Sequence, residues 1–230
     1  MNKQTIRPIA YIESDYDEKF GVPRQSGIVT ELKQRILFCD EFRNDDAVRG
    51  LEGFSHIWLI WGFSENLKGR DEDEARWSPT VRPPRLGGDV RMGVFATRSP
   101  YRPNPLGLSS VKLEAIEKGP ILIVSGADIV NGTPIYDIKP YIAYTDCHLD
   151  AEAGFTKDEG YFGKLEVVFP EELLRRIEEG KKEGLIQVLS EDPRGMYERN
   201  PGYEYGMAFA GVDIKFVVEG KRLIVIDVKE

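Results

Sequence analysis

A mainly β fold, a closed or nearly closed β-barrel followed by a small α+β appendage, is what this sequence predicts. Three observations predict it. Between Thr5 and Tyr144 about seven short runs rich in β-branched and aromatic residues alternate with Gly, Pro and Asn turn signals, with almost no helical period. From about Leu149 the character changes, and an amphipathic helix and an apolar hairpin follow. The composition also allows a sizeable core, since 41% of the residues are hydrophobic and 30% charged. The expected division is a barrel over 1–149, a linker over 150–159 and a small α+β unit over 160–230.

The first strand is expected within Thr5–Ile12, where Ile6, Pro8, Ala10 and Ile12 share one face. VPRQSG (Val22 to Gly27) is a compact polar loop, and Gly27–Phe38 supplies one or two strands. Asn44 before DDAVRGL, with acids in the first turn and Gly50 behind, predicts a short capped helix. FSHIWLIWGFSE (Phe54 to Glu65) is the most apolar run and predicts a buried strand. Asn66–Trp77 is a charged, solvated excursion, and MGVFAT (Met92 to Thr97) is expected as a short buried strand. SSVKLEAIEK and ILIVSGADIV predict strands around Lys118–Pro120, Asn131-Gly132 predicts a turn, and TPIYDIKPYIAY continues the series. In the appendage KLEVVFP is a strand, Pro170 opens one helix through PEELLRRIEEGKKEGLIQVL, and MAFAGVDIKFVV pairs with KRLIVIDV around Glu219-Gly220.

Arg82–Ser110 carries five arginines (Arg82, Arg85, Arg91, Arg98, Arg102), no lysine and one acid, Asp89. This +4 stretch sits in a chain of net charge −8. A local positive field in an acidic protein points to a dedicated anion site rather than broad coating of nucleic acid. Arginine adds a planar fork that pairs bidentately with phosphate or carboxylate and stacks on bases. Pro83, Pro84, Pro100, Pro103 and Pro105 fix φ, so these side chains stand on stiff backbone.

Other classes are excluded. There is no P-loop, no G-x-G-x-x-G between strand and helix, no nucleophile elbow and no H-E-x-x-H. Two histidines and two cysteines (Cys39, Cys147) do not make a closed structural zinc site or a disulfide framework. With no apolar run of about 18 residues and no signal-like N-terminus, we expect a cytoplasmic protein with no membrane segment and no metal. The polar residues instead gather at strand ends: Arg24-Gln25-Ser26, Ser64, Arg98–Asn104, Asp128–Asn131 and Asp137–Tyr141. Closing the strands into a barrel would bring such ends to one rim, where a pocket forms. His56, beside Trp58 and Trp61, reads either as a hydrogen-bonded core residue or as a catalyst.

VPRQ-x-G, RGLEGFSHIW, RPPRLGG-x-x-R-MGVFATRSP-x-RPNP-x-G and D-x-x-x-GTP-x-x-DIKPY, in this order, resemble the TrmO (YaeB/TsaA-like) family. The likeness runs from Ile6 to about Tyr144 and continues through EDPR (Glu191 to Arg194), Tyr197 and VDIKF. It implies an S-adenosylmethionine-dependent tRNA methyltransferase on a β-barrel. The implied reaction is methylation of N6 of threonylcarbamoyladenosine just 3′ of the anticodon, most notably in threonine tRNA, by a homodimer. Carried over to this sequence, Arg24, Gln25, Ser26, Phe63, Ser64, Arg98, Leu108, Asp128, Ile129, Val130 and Asn131 would hold the cofactor. Arg98, Asp128 and Asp137 are the catalytic candidates, and Arg82, Arg85, Arg91 and Arg102 the tRNA contacts. A nitrogen made amide-like by the threonylcarbamoyl group is a poor nucleophile, so a carboxylate to take its proton or strong orientation is needed. The competing readings are a non-catalytic RNA-binding barrel, with Tyr101 stacking on bases, and a small-molecule binder that senses a nucleotide.

Overall fold

The computed structural model describes residues 5–63, 77–83, 86, 88–156, 164–194, 200 and 202–229. In chain order the first eight strands are β1 (Ala10–Glu13), β2 (Lys33–Phe38), β3 (His56–Gly62), β4 (Thr80–Val81), β5 (Met92–Gly93), β6 (Leu106–Glu117), β7 (Ile121–Ser125) and β8 (Pro134–Pro140). Six of them close an antiparallel barrel in the order β1–β2–β7–β6–β3–β8, sealed by β8 against β1 at Ala10–Ile135 and Tyr11–Pro134. Period-2 alternation sets the wall: Ile57, Leu59 and Trp61 of β3 point inward with Ile36, Val111, Leu122 and Val124. Trp58 and Ile60 face outward. Asn44 caps the following turn by accepting from the Asp46 amide, as its residue type predicts, although the turn is 3₁₀.

β9 (Glu166–Val168), β10 (Tyr205–Phe209), β11 (Val212–Glu219) and β12 (Arg222–Lys229) form a second sheet in the order β10–β11–β12–β9, with β9 parallel to β12. α1 (Ala143–Asp146) follows the barrel, and α2 (Glu171–Leu174) and α3 (Lys182–Ser190) belong to the second unit. Leu185, Val188 and Leu189 of α3 share one core with Ile214, Phe216, Leu223 and Val225. Tyr16, Val29 and Leu32, from the stretch between β1 and β2, are buried in this second core as well. The same stretch is tied there by Lys181 to Asp15 at 2.8 Å, the Ala208 amide to Glu18 at 3.0 Å and the Thr30 amide to Gln187 at 2.9 Å. The barrel's first connection is therefore part of the C-terminal unit's core.

Three elements differ from expectation. The helix expected from Pro170 is broken into α2 and α3. Glu178, Glu179 and Gly180 explain the break: carboxylates oppose the dipole at a helix C-terminus but suit the N-terminus of the next one, and glycine is a poor helix former. The strand expected over MAFAGVDIKFVV is two strands, because Ala210 (φ 52°) and Gly211 (φ 81°) make the double left-handed turn of a tight hairpin. Met92–Thr97 is not a core strand. Among the described residues Met92–Gly93 pairs only with Thr80–Val81, a 3₁₀ turn follows over Val94–Ala96, and Phe95 is 74% exposed.

Gly184 in α3 lies against Leu32: an added Cβ would come within 2.2 Å of the leucine's Cδ2 and 2.4 Å of its Cγ. Gly-to-Ala in a helix ordinarily gains about 1 kcal/mol, whereas overpacking a filled core costs about 1–3 kcal/mol. Gly184→Ala is therefore expected to lower stability by about 1 kcal/mol, read as a lower urea midpoint at unchanged slope. A raised midpoint would mean that the stretch between β1 and β2 yields freely at α3.

Candidate active site

At one rim of the barrel, the loop after β7, the loop before β2 and the arginine-rich stretch meet. β7 ends at Ser125, and Gly126 (φ 81°) turns the chain out so that its carbonyl accepts from the Gly27 amide at 2.8 Å. This pairing places Ser26 next to Asp128, whose carboxylate accepts from the Ser26 amide. On the wall beneath, Ser109 Oγ donates to Asp128 Oδ1 at 2.6 Å and accepts from Trp61 Nε1 at 3.0 Å. Arg98 donates through its Nη1 to Gln25 Oε1, and its charge reaches Asp128. Burial pushes the Asp128 carboxyl above the usual carboxylate range, against the lowering effects of the Ser109 hydroxyl, the nearby backbone amides and Arg98. Tyr16 lies close by, its hydroxyl buried and without a hydrogen-bond partner among the described residues. Burial, with Asp15 and Asp128 adding to it, drives its acidity down.

Ser109 and Tyr16 carry no local sequence signal that marks them for this rim, and Trp61 reads there only as a neighbour of His56. Gly107 gives the arrangement its local cause. Trp61 faces it across the β3–β6 pair, and a Cβ there would come within 2.2 Å of the indole. Glycine lets the indole lie on the strand backbone and aim its N–H at Ser109, two residues along the same face. Phe63 packs edge-on against Trp61 at 4.4 Å, and its amide donates to the Pro105 carbonyl, which anchors the end of the arginine-rich stretch to β3.

Of the residues singled out in the sequence, Gln25, Ser26, Arg98 and Asp128 come together at this rim, with Phe63 one aromatic layer away. Ile129 is buried in the barrel core, and Asn131 accepts from the Ser14 amide at 3.2 Å, so both hold the loop in place from behind. Val130 is half-buried between them. Arg24 is engaged by the C-terminal unit: its Nη2 donates to the carbonyls of Asp192 at 3.2 Å and Arg194 at 2.9 Å. Those two residues form a buried ion pair at 2.8 Å, with Asp192 in the left-handed region at φ 53°. Arg24 thus fastens the Gln25–Ser26 loop to the C-terminal unit.

Leu108 and Asp137 lie on the other face of the wall. Leu108, 57% exposed, stands between the inward-facing Gly107 and Ser109 and helps line a shallow hollow of about 310 Å³ with Trp58, Ile60 and Lys139. Asp137 pairs in register with Ile60 and binds Lys139 at 2.7 Å. His56 is exposed, its Nδ1 2.9 Å from Ser55 Oγ. Arg82 is exposed, and Arg91 donates to Thr80 Oγ1 at 3.0 Å. Arg102 has turned onto its own backbone, donating to the carbonyls of Val94, Thr97 and Ser99. Ser64, Arg85, Tyr197 and the acidic run 65–76 lie outside the described residues. No cluster of His, Cys, Asp or Glu able to hold a metal ion occurs among the described residues, nor any helix long and apolar enough to cross a membrane.

Comparison with known proteins gives this geometry its family. Residues 11–147 match the tRNA-methyltransferase O N-terminal domain, and residues 163–230 match the TrmO C-terminal domain. An Escherichia coli K12 protein named tRNA (adenine(37)-N6)-methyltransferase is 38% identical over 219 residues, covering 91% of this chain and 89% of its own. A Pseudomonas aeruginosa protein with the provisional name S-adenosylmethionine-dependent methyltransferase RcsF is 38% identical over 218 residues, covering 91% and 90%. The crystal structure of TrmO from Pseudomonas aeruginosa superposes with a TM-score of 0.82 at 31% identity, over 100% of this chain and 99% of the other. With both domains matched in order along one barrel and its appended sheet, the chain belongs to the tRNA-methyltransferase O family.

Proposed function

We propose that this chain is an S-adenosylmethionine-dependent methyltransferase acting on N6 of adenosine 37 of tRNA, and that its substrate adenosine carries a threonylcarbamoyl group. The observation that carries this reading is the half-buried Asp128 carboxylate, held above its ordinary pKa opposite Arg98 at the barrel rim. The donor set fits the cofactor. S-adenosylmethionine presents a carboxylate, an ammonium, a sulfonium and a ribose diol, and the rim offers a guanidinium, a carboxylate, the Gln25 amide and the Ser26 main chain. Bound there, the cofactor supplies an electrophilic methyl group.

The chain's own residues do the rest. Arg98, aimed by Gln25, binds a carboxylate of the cofactor or of the threonyl substituent. Asp128, oriented by Ser109 and the Ser26 amide, takes the proton that N6 loses as its new N–C bond forms, and a raised pKa suits that task. Trp61 and Phe63 exclude water from one side. Leu108 contributes from the rear of the wall, and Arg24 acts on the cofactor through the loop it fastens. Asp137, on the outer face, serves the reaction only where a second subunit or the tRNA folds over that face. Arg82, Arg85 and Arg91 meet tRNA phosphates, the 160–230 unit helps hold the tRNA, and the working form is a cytoplasmic homodimer with threonine tRNA as its main substrate.

The test compares threonylcarbamoylated and unmodified threonine tRNA with labelled S-adenosylmethionine, the product nucleoside being identified by mass spectrometry. Methylation of the modified tRNA alone is expected. Equal methylation of both would remove the threonylcarbamoyl requirement. Tight binding of tRNA without transfer to either would return the chain to the non-catalytic RNA-binding reading.

A further inference from the structure

The arginine-rich stretch carries an aromatic pair that the reaction chemistry does not use. Phe95, at the centre of the Val94–Ala96 turn, is 74% exposed and stacks on Trp77, itself 47% exposed, with ring centroids 6.4 Å apart and planes within 20°. Tyr101, joined to this region by the Ser78 amide, which donates to its carbonyl at 3.1 Å, is 42% exposed. An exposed aromatic alone requires no partner. This one stands on a turn that is fixed from every side. Val94 is buried, its amide donates to the Pro79 carbonyl at 3.0 Å, and its carbonyl accepts from the Thr97 amide and hydroxyl at 3.1 and 2.8 Å. The guanidinium of Arg102 then clamps the same turn, reaching the carbonyls of Val94 at 3.3 Å and Thr97 at 2.8 Å. Five hydrogen bonds thus hold a turn whose central residue, Phe95, stays mostly exposed. Such pre-ordering lowers the entropy cost of a contact made to something else.

Charge identifies that something. The platform lies within the +4 stretch of a −8 chain, with Arg98, three residues beyond Phe95, at the rim. A rigid aromatic face in a positive field is the arrangement that unpaired RNA bases stack on, while the arginines meet the phosphates. The geometry points to Phe95, supported by Trp77, as a stacking platform for an unpaired base of the anticodon loop beside the methylated adenosine, with Arg102 as the positioning residue that displays it. This assignment rests on the tRNA reading above. It also gives Arg102 a different task from the phosphate contact expected of it.

The experiment measures methyl-transfer kinetics, and binding of a fluorescently labelled anticodon stem-loop RNA, for wild type, Phe95→Leu and Phe95→Tyr. Phe95→Leu keeps apolar bulk but loses the π face, and is expected to raise the KM for tRNA about tenfold, the scale of one base stack, with kcat and S-adenosylmethionine affinity unchanged. Phe95→Tyr should restore the wild-type KM. Equal KM for wild type and Phe95→Leu would overturn the platform, as would a Phe95→Tyr variant as poor as Phe95→Leu. So would a Phe95→Leu protein that light scattering shows has lost an oligomer, since this face would then belong to a second copy of the chain. If wild type itself transfers no methyl group, the proposed reaction fails instead, and the stem-loop binding of the same variants still decides the platform.

Discussion

Asp128→Asn is expected to reduce methyl transfer by about 10²- to 10⁴-fold, the usual contribution of a general base, while leaving the fold no less stable at neutral pH. The two effects share one cause. Burial raises the folded-state pKa of Asp128 above that of the unfolded chain. The stability this group lends is therefore fully present below the unfolded pKa and is lost as pH rises through the higher folded value. At neutral pH the ionised carboxylate costs the folded state something, offset in part by Ser109, Ser26 and Arg98. Asparagine keeps the shape and an acceptor for Ser109 and removes the charge.

Melting temperatures of the two proteins should accordingly diverge in favour of the variant as pH rises above the ordinary carboxylate range. The acid limb of the wild-type pH–rate profile should lie above that same range, and Ser109→Ala should push it higher, because the hydroxyl lowers the pKa. A variant that turns over at the wild-type rate would leave Asp128 as a cofactor ligand only. A melting difference with the opposite pH trend would mean that Arg98 and Ser109 outweigh burial.

Arg98→Lys is expected to reduce kcat tenfold or more, whereas Arg82→Lys leaves it unchanged. Lysine preserves the charge but loses the planar fork that lets one guanidinium hold Gln25 and still face a carboxylate. A loss of about 1.4 kcal/mol in the transition state is a factor of ten in rate. Arg82 is exposed on the arginine-rich stretch, and there only the charge matters. Its contribution appears in the salt dependence instead. Arg82→Ala should flatten the slope of log K for tRNA against log salt by about 0.7–0.9, the value of one phosphate contact. Full turnover by Arg98→Lys together with a failing Arg82→Lys would place the pocket on the other side of Met92–Thr97.

Strand content, barrel and appended α+β unit were legible in the sequence because β-branched runs, period-2 alternation and turn residues are local signals. Asn44 as a cap and Pro170 as the entry to a helix were legible for the same reason. So was the gathering of polar residues at strand ends, since arginine in proline-stiffened loops and an Asp–Asn turn are local features. Tertiary structure decided which of these groups meet. Asp128 joins Gln25 and Arg98 because the Gly27 amide finds the Gly126 carbonyl, a pairing between residues ninety-nine apart in sequence. Ser109 and Trp61 enter the site only through the β3–β6 register, and Gly107 matters only because an indole crosses it. Leu108 and Asp137 are sent to the outer face by the pleat, which reverses every second side chain and is fixed by pairing, not by residue type. Arg24 and Arg102 carry the same side chain as Arg98, yet one closes on the C-terminal unit and the other on its own turn. An arginine's partner is set by which carbonyls the fold leaves within reach of five donors, and that is a property of the assembled backbone alone.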